Sequence, residues 1–477
     1  MIGSGVSPAS GGAILGDDFR EKTKGVRFLI WVYIVLWIIE GALRKWVVPS
    51  GISTYLLFVR EPVLIGIYAL AVGRGVFPLN GFIVGLGALS LLGFLFSLMQ
   101  SGVNLIVILY GARSYFLHFP LIFLIGGVMN RRDVEAIGHF FLYTVIPMSA
   151  LMVMQFLAPP ISSWNNGSGG QMGGQMIGAL GHARPSGTFS FSNGVPPYLS
   201  LVTAFIIYGY IRGTLYPKWL LWSGLFSVFM GTVISVSRNA VVSVILVVLA
   251  FVLMGLFYPK YFRKFLGLGL LMICAGALMS LLPVFASGLD SLQSRFQDGG
   301  AITTSIGGRF MGDILMPWQN FLDVDMLGIG LGRATNAAQL YTGDSTMIIE
   351  NEWLRTLWEM GWIIGSAFLV LRVSISCWLL WRAHLDLSRG SALAGLILSS
   401  CFINIFMTPL GLTTGQGFIM IAGGLCLAVE NSSEGDEGGL PRPTGLPGRP
   451  RPRGRSLYAE QLHGNSQISG TGPASGA

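Results

Sequence analysis

Residues 307–321 read GGRFMGDILMPWQNF, residues 325–335 read DMLGIGLGRAT, and residues 348–365 read IIENEWLRTLWEMGWIIG. They fall in a long polar segment, from about Ser287 to Gly365, that has apolar spans on both sides. Such a segment makes sense only if the spans around it are held in a bilayer and the segment stands outside it. The rest of the chain agrees. Hydrophobic residues make up 52% and charged residues 11%, and mean hydropathy is +0.65. Apolar runs of about 18 residues or more recur, each long enough to cross the hydrocarbon core as a helix. The expected fold is an all-α polytopic membrane protein with about twelve transmembrane helices and one large extracytoplasmic loop.

Working outward, the spans are expected at 27–47, 53–73, 76–98, 103–129, 135–157, 194–212, 218–236, 239–258, 264–286, 361–382, 391–409 and 412–429. Five regions follow: a disordered cytoplasmic N-terminus at 1–24, membrane helices over 25–286, the loop at 287–360, membrane helices over 361–430, and a cytoplasmic tail at 431–477. The tail is rich in Gly, Pro and Arg (GLPRPTGLPGRPRPRGR) and lacks the apolar residues to bury a core. The first span is followed by EGALRKW rather than a small-residue cleavage site, so it is expected to remain.

The formal charge of +8 lies mostly in short loops, where it sets orientation and does not call for nucleic acid. Arg74, Arg131, Arg132, Arg212, Lys218, Lys260, Arg263, Lys264, Arg382 and Arg389 alternate with the spans as a cytoplasmic N-terminus requires. The segment after Ser287 and the Gly-rich loop 158–193 then face outward. Cys274, Cys377, Cys401 and Cys426 lie within apolar spans without CxxC spacing, so neither a disulfide framework nor a metal site is indicated. No Walker A, HExxH or GxSxG pattern is present, and GIGLG at 328–332 follows no strand and reads as a flexible turn.

Several basic residues break the orientation rule. Arg44 and Lys45 end the first span on the outer side, and Arg60 and Glu61 open the second. Arg184, Arg238, Arg309 and Arg333 are outer as well, and Arg113 lies inside the fourth span near His118. Charge at membrane depth is costly, so it is either paired or functional. Glu40 and Arg44 have the i,i+4 spacing of a helical ion pair, and Arg60 and Glu61 could pair likewise. Arg184, Arg238 and Arg309 are read as functional rather than paired. A planar guanidinium fork suits phosphate, so several converging on one outer cavity point to a pyrophosphate-bearing ligand. Arg113 could complete such a site from below.

In IIENEWLRTLWEMGW, Glu352, Arg355 and Glu359 interleave at i,i+3 and i,i+4, the pattern of an exposed ion-paired helix face. Glu350 stands apart, at the expected helix start behind Ile348 and Ile349. A carboxylate in a partly dry site beside arginines can act as general base. Trp353, Trp358 and Trp362 suit an interfacial belt or a sugar-stacking face.

Taken in order, three pieces resemble the bacterial O-antigen ligase and O-antigen polymerase family of membrane glycosyltransferases. RPSGTFSFSNG (Arg184 to Gly194) is similar to the family's Arg-x-x-Gly-Thr-Phe segment, and SVSRNAVVSVILVVL to its Ser-Arg followed by a membrane helix. The loop then offers Arg309, the Gly328, Gly330, Gly332 turn, and Glu350, Asn351, Leu354, Glu359 and Gly361 in place of a His-Asn-x-x-Leu…Glu-x-Gly segment. Typical ligases carry His where this chain has Glu350, which leans towards a polymerase or exopolysaccharide relative. The resemblance implies a GT-C-like fold in the bacterial inner membrane and a glycan donor on polyprenyl pyrophosphate. It implies a sugar or lipid-core acceptor, metal-independent transfer without cofactor, and contact with polysaccharide assembly proteins. Catalysis is then expected from Glu350, Arg238 and Arg309, and substrate binding from Arg184, Arg113, Arg44, Arg333, Asn351 and Arg355. A polysaccharide-lipid flippase is the alternative. It would place charges along a path through the whole bilayer and often shows related halves, whereas the unusual charges here gather on one side. A scaffold for polysaccharide assembly is a third reading.

Overall fold

A computed structural model describes residues 9–435 except 54, 101, 103, 299–307, 320–322, 336–337, 339–348 and 350. The described chain is all-helical. Its principal helices are α1 (Ala9–Ala42), α2 (Arg60–Gly73), α3 (Gly81–Met99), α4 (Leu105–Ala112), α5 (Pro120–Val128), α6 (Arg131–Leu157), α7 (Val195–Arg212) and α8 (Lys218–Ile234). There follow α9 (Arg238–Phe257), α10 (Pro259–Met279), α11 (Pro283–Asp298), α12 (Gly308–Gln319), α13 (Glu352–Ser388), α14 (Leu393–Met407) and α15 (Thr413–Gly435). Nine helical stretches among the described residues are long and apolar enough to cross a membrane, or ten if a bent pair counts as one.

Local chemistry sets the boundaries. Asn80, Asn104 and Asn130 cap α3, α4 and α6 through their side-chain oxygens, and Asn130 forms a reciprocal capping box with Asp133. Pro120 and Pro259 sit in first turns, where a missing N–H costs nothing. Two wide π-helical turns, Leu43–Val47 and Arg113–Leu117, extend α1 and α4. Both carry basic residues, Arg44 and Lys45 in the first and Arg113 in the second, and such turns often mark functional sites.

Three expected spans take another form. The one expected over 264–286 is broken: Leu266–Met279 and Pro283–Gln297 meet at 103°. Pro283 supplies the reason, since it donates no N–H and disfavours helix in the residue before it. The spans expected at 218–236 and 391–409 are apolar helices of 17 and 15 residues. At the ends of the chain, helix begins at Ala9 within the expected lead-in, and α15 continues to Gly435, past the expected boundary at 430. Residues 436–477, the rest of the expected tail, lie outside the described residues.

The core forms where α5, α7 and α15 meet the others. Nearly every α7 residue is buried, including Tyr198, Phe205 and Tyr208. A helix apolar all round is a central one. Around it, α6, α8, α9 and α14 pack with lipid-type residues such as Leu249 and Leu253 left outward.

Candidate functional site

Arg184 is presented by a tight turn. Gly178 N donates to His182 O at 2.8 Å, and Arg184 N donates to Met176 O at 2.9 Å. The His182 ring stacks on Phe156 with centroids 4.1 Å apart. Downstream, the RPSGTF segment is tied to the bundle. Lys45 Nζ donates to Ser186 Oγ (2.6 Å) and Gly187 O (2.8 Å), Gln155 accepts from Gly187 N (2.8 Å), and Thr188 Oγ1 donates to Ile38 O (2.6 Å). Its backbone lies flat on α1 at Gly41, where a Cβ would come within 2.2 Å of Ser190 N. Only glycine permits that approach.

Arg238 opens α9 after a strained turn. Val236 is buried with φ of 48°, a conformation that is an outlier for a β-branched side chain. Backbone strain of about 1–3 kcal/mol is held at such positions when packing over-determines them. Here Val236 packs with Phe156, Ala179, Ile234 and Phe285, and the turn delivers Arg238 to the same place as Arg184.

The two arginines and Arg295 from α11 line one cavity of about 510 Å³ with Asn193, Asn404 and Asp313. Burial, and then the neighbouring charges of Arg295 and Arg238, lower the Arg184 pKa from its ordinary value. The Nε atoms of Arg184 and Arg295 are buried and meet no hydrogen-bond partner among the described residues. Three like charges line one space, and two of them, Arg184 and Arg295, keep that buried donor unmet, an arrangement that an anion stabilises. The cavity shares Leu246 and Ile403 with a second, apolar space of about 850 Å³ between α9, α13 and α14, lined by residues such as Leu249, Leu253, Phe257 and Phe402. A charged head and a hydrocarbon tail could therefore be accommodated end to end.

Of the other residues expected at the site, those whose side chains are described are placed elsewhere or one step away. Asn351 caps α13, its Oδ1 accepting from Leu354 N at 2.9 Å, and its Nδ2 donates to Asp313 O (3.0 Å) and Oδ1 (3.1 Å). Glu350, next to it, lies outside the described residues. Arg309 is in the first turn of α12, its side chain likewise outside them. Arg333 Nη1 donates to Ile329 O at 3.3 Å, within the glycine turn.

Arg44, Arg113 and Arg355 are engaged inside the protein. Arg44 donates to Ser53 O and Ser190 Oγ, both at 3.1 Å. Glu40 pairs with Arg60 of α2 at 3.0 Å, across helices and not along its own. Arg113 pairs with Glu61, which is also 3.5 Å from His118 Nε2, and Tyr33 OH reaches His118 Nδ1 at 3.0 Å. Arg355 pairs with Glu352, whose other oxygen is 3.0 Å from Arg372 Nη1. The expected exposed face of Glu352, Arg355 and Glu359 is thus an internal ion network, with Glu352 4% and Glu359 1% exposed. The helix lies against α14, so an interleaved charge pattern alone could not reveal which side is covered.

The glycine turn is pinned. Glu359 Oε2 accepts from Gly332 N (2.8 Å) and Oε1 from Ala334 N (3.0 Å), while Ile329 N donates to Trp358 O (2.8 Å). Gly361 breaks α13 with φ of 73°, and a Cβ there would meet Met326 O at 2.2 Å.

Sequence reading missed Arg295, Asp313, Asn193 and Asn404. Arg295 had one signal: a cation on an amphipathic segment, SLQSRFQD, on the same side as Arg184 and Arg238. Fold and cavity define an all-helical, multi-pass membrane protein whose basic cavity opens onto an apolar groove. Comparison with protein-family models, curated proteins and solved structures finds no match to the chain.

Proposed function

We propose that the chain is a glycosyltransferase of the bacterial inner membrane, of O-antigen or exopolysaccharide polymerase or ligase type. The observation that carries this reading is the continuity of the Arg184–Arg238–Arg295 cavity with the apolar groove at Leu246 and Ile403. A polyprenyl pyrophosphate matches both parts: the pyrophosphate takes the guanidinium donors and the polyprenyl chain takes the groove. The three remaining expected spans, two short and one bent, bring the membrane crossings to about twelve in this reading, with the cavity on the extracytoplasmic side.

An acceptor sugar hydroxyl attacks the anomeric carbon of the lipid-linked glycan. The new C–O bond forms as the bond from that carbon to the pyrophosphate oxygen breaks, which inverts the centre. Polyprenyl pyrophosphate leaves with the bonding pair, and the arginines stabilise the charge gathering on it. The hydroxyl proton passes to a carboxylate. Glu350 is the base that the resemblance implies. Asp313 is the second, supported by its place in the cavity wall. Fixed cations supply the electrostatics, so the step is written without metal or nucleotide.

The test is a gel assay of purified protein with a polyprenyl-pyrophosphate oligosaccharide and an added acceptor, with and without chelator and ATP. Lengthened or transferred glycan, insensitive to chelator and independent of ATP, is the expected result. Movement of intact donor across a liposome bilayer without a new bond would instead favour a flippase.

A further inference from the structure

A second basic cavity, also about 510 Å³, lies at the other end of the same helices. Pro196 of α7 lines the arginine cavity and Ile211 lines this one, which puts them about 22 Å apart along the helix. Arg131, Arg212, Lys264, Tyr208, Tyr261 and Ser391 surround it, and no carboxylate is among its lining residues. The wall is organised by hydrogen bonds. Arg131 Nη2 donates to Tyr208 OH (2.9 Å) and Ser391 Oγ (3.1 Å), Tyr208 OH donates to Glu135 Oε1 (2.7 Å), and Tyr261 OH donates to Gly390 O (2.9 Å). Lys264 Nζ caps the end of α7 at Ile211 O. Behind the wall stand Glu135 and the buried Asp386, whose carbonyl accepts from Ser391 N at 3.1 Å. Three cations against two carboxylates leave one net positive charge, the complement of a single phosphodiester.

The apolar groove ends beside this cavity. Tyr258 and Leu387 line the groove, and Tyr261 and Gly390, each three residues further on, line the cavity. With the two tyrosine hydroxyls committed to Glu135 and Gly390, a phosphate seated here faces the Arg131 and Arg212 guanidinium groups, the Lys264 ammonium and the Ser391 hydroxyl, with an apolar wall beside it for acyl chains. Basic pockets between membrane helices bind anionic headgroups in this way.

We propose that this cavity binds the headgroup phosphate of an anionic phospholipid, from the leaflet opposite the arginine cavity. The inference does not rest on the glycosyltransferase reading: it shares with that reading only the apolar groove, at the end away from the arginine cavity, and no step of the transfer enters it.

The test is thermal unfolding of the purified full chain in detergent, titrated with dimyristoyl phosphatidylglycerol, dimyristoyl phosphatidylcholine or inorganic phosphate. Phosphatidylglycerol is expected to raise Tm more than phosphatidylcholine, with no effect of inorganic phosphate. In Arg212→Ala/Lys264→Ala the phosphatidylglycerol titration should shift to about thirtyfold higher concentration, from the loss of two near-surface charges. Arg132→Ala/Arg263→Ala removes two exposed charges that do not line the cavity and should leave the titration in place. Because Lys264 also caps α7, Arg212→Gln alone serves as a second variant, with a smaller shift in the same direction. Equal protection by the two lipids, an unchanged titration in the cavity variants, or an equal loss in the control pair would overturn the proposal. Protection by inorganic phosphate alone, lost in the cavity variants, would overturn the lipid as the source and leave a soluble phosphate ester in its place.

Discussion

Asn351 holds Asp313: the amide that caps α13 donates to Asp313 Oδ1 at 3.1 Å and to its carbonyl oxygen at 3.0 Å. One side chain thereby fastens the start of a membrane helix to a carboxylate of the arginine cavity, and Glu350 is its neighbour in the chain. Asp313→Asn keeps an acceptor for the cap but removes the base. Glu350→Gln removes the other base. Glycan transfer should fall by about 100-fold in whichever variant has lost the proton acceptor, and Tm should change little in both. Equal, full activity in both variants would place proton transfer elsewhere.

Arg238→Lys keeps the charge and loses the planar fork. Losing one charge-assisted hydrogen bond of about 1.5–3 kcal/mol should lower transfer about 10- to 100-fold. Expression and Tm should persist. A gel showing wild-type product from this variant would remove Arg238 from the mechanism.

Arg295→Gln has opposite effects on stability and function. Burial, and then the like charges of Arg295 and Arg238, depress the Arg184 pKa, so removing the Arg295 charge relieves repulsion. The sign is that of a base whose charged form the fold disfavours, so the relief operates wherever all three are protonated, including neutral pH. Tm without ligand should rise, by about 0.5–2 kcal/mol of stability, while donor binding weakens. A fall in Tm would mean that Arg295 contributes more by its contacts than it costs by its charge.

Glu359 accepts two backbone N–H groups, from Gly332 and Ala334, in a buried place. Glu359→Ala leaves both unsatisfied and should cost about 2–5 kcal/mol. Glu359→Gln retains one acceptor oxygen and should cost less. Thermal unfolding of the two variants in detergent orders them, and a reversed order would argue against the clasp.

Gly361→Ala places a Cβ against Met326 O in a left-handed backbone. Loss of folded protein on size-exclusion chromatography is expected. Gly276→Ala, where a Cβ meets nothing within 4 Å, is the control that should fold.

The expected spans coincide closely with helices because hydrophobicity at this length is a one-dimensional property, and the bilayer reads it without reference to partners. Pro283 shows the limit. An apolar run over 264–286 satisfies the composition rule, but a proline within it redirects the chain by 103°. Charge behaved differently. Arg184 and Arg238 stood out because no acid was near them in sequence, and they line one cavity. Arg113 stood out because it lies inside a span, and it is paired with Glu61. Sequence distance does not report which carboxylate folding brings close. Likewise the interleaved charges around Arg355 gave no sign of the Arg372 contact to Glu352, 20 residues away on the same helix.

The sequence by itself determined that this chain is a multi-pass helical membrane protein, and named two of its cavity arginines. Tertiary structure alone decided that Arg295 and Asp313 join them, that Arg44, Arg113 and Arg355 are engaged within the protein, and that the cavity continues into an apolar groove. The physical reason is range. Burial of apolar helices follows from neighbours along the chain, whereas an ion's partner and a cavity's wall are set by helices that meet only once the bundle is packed.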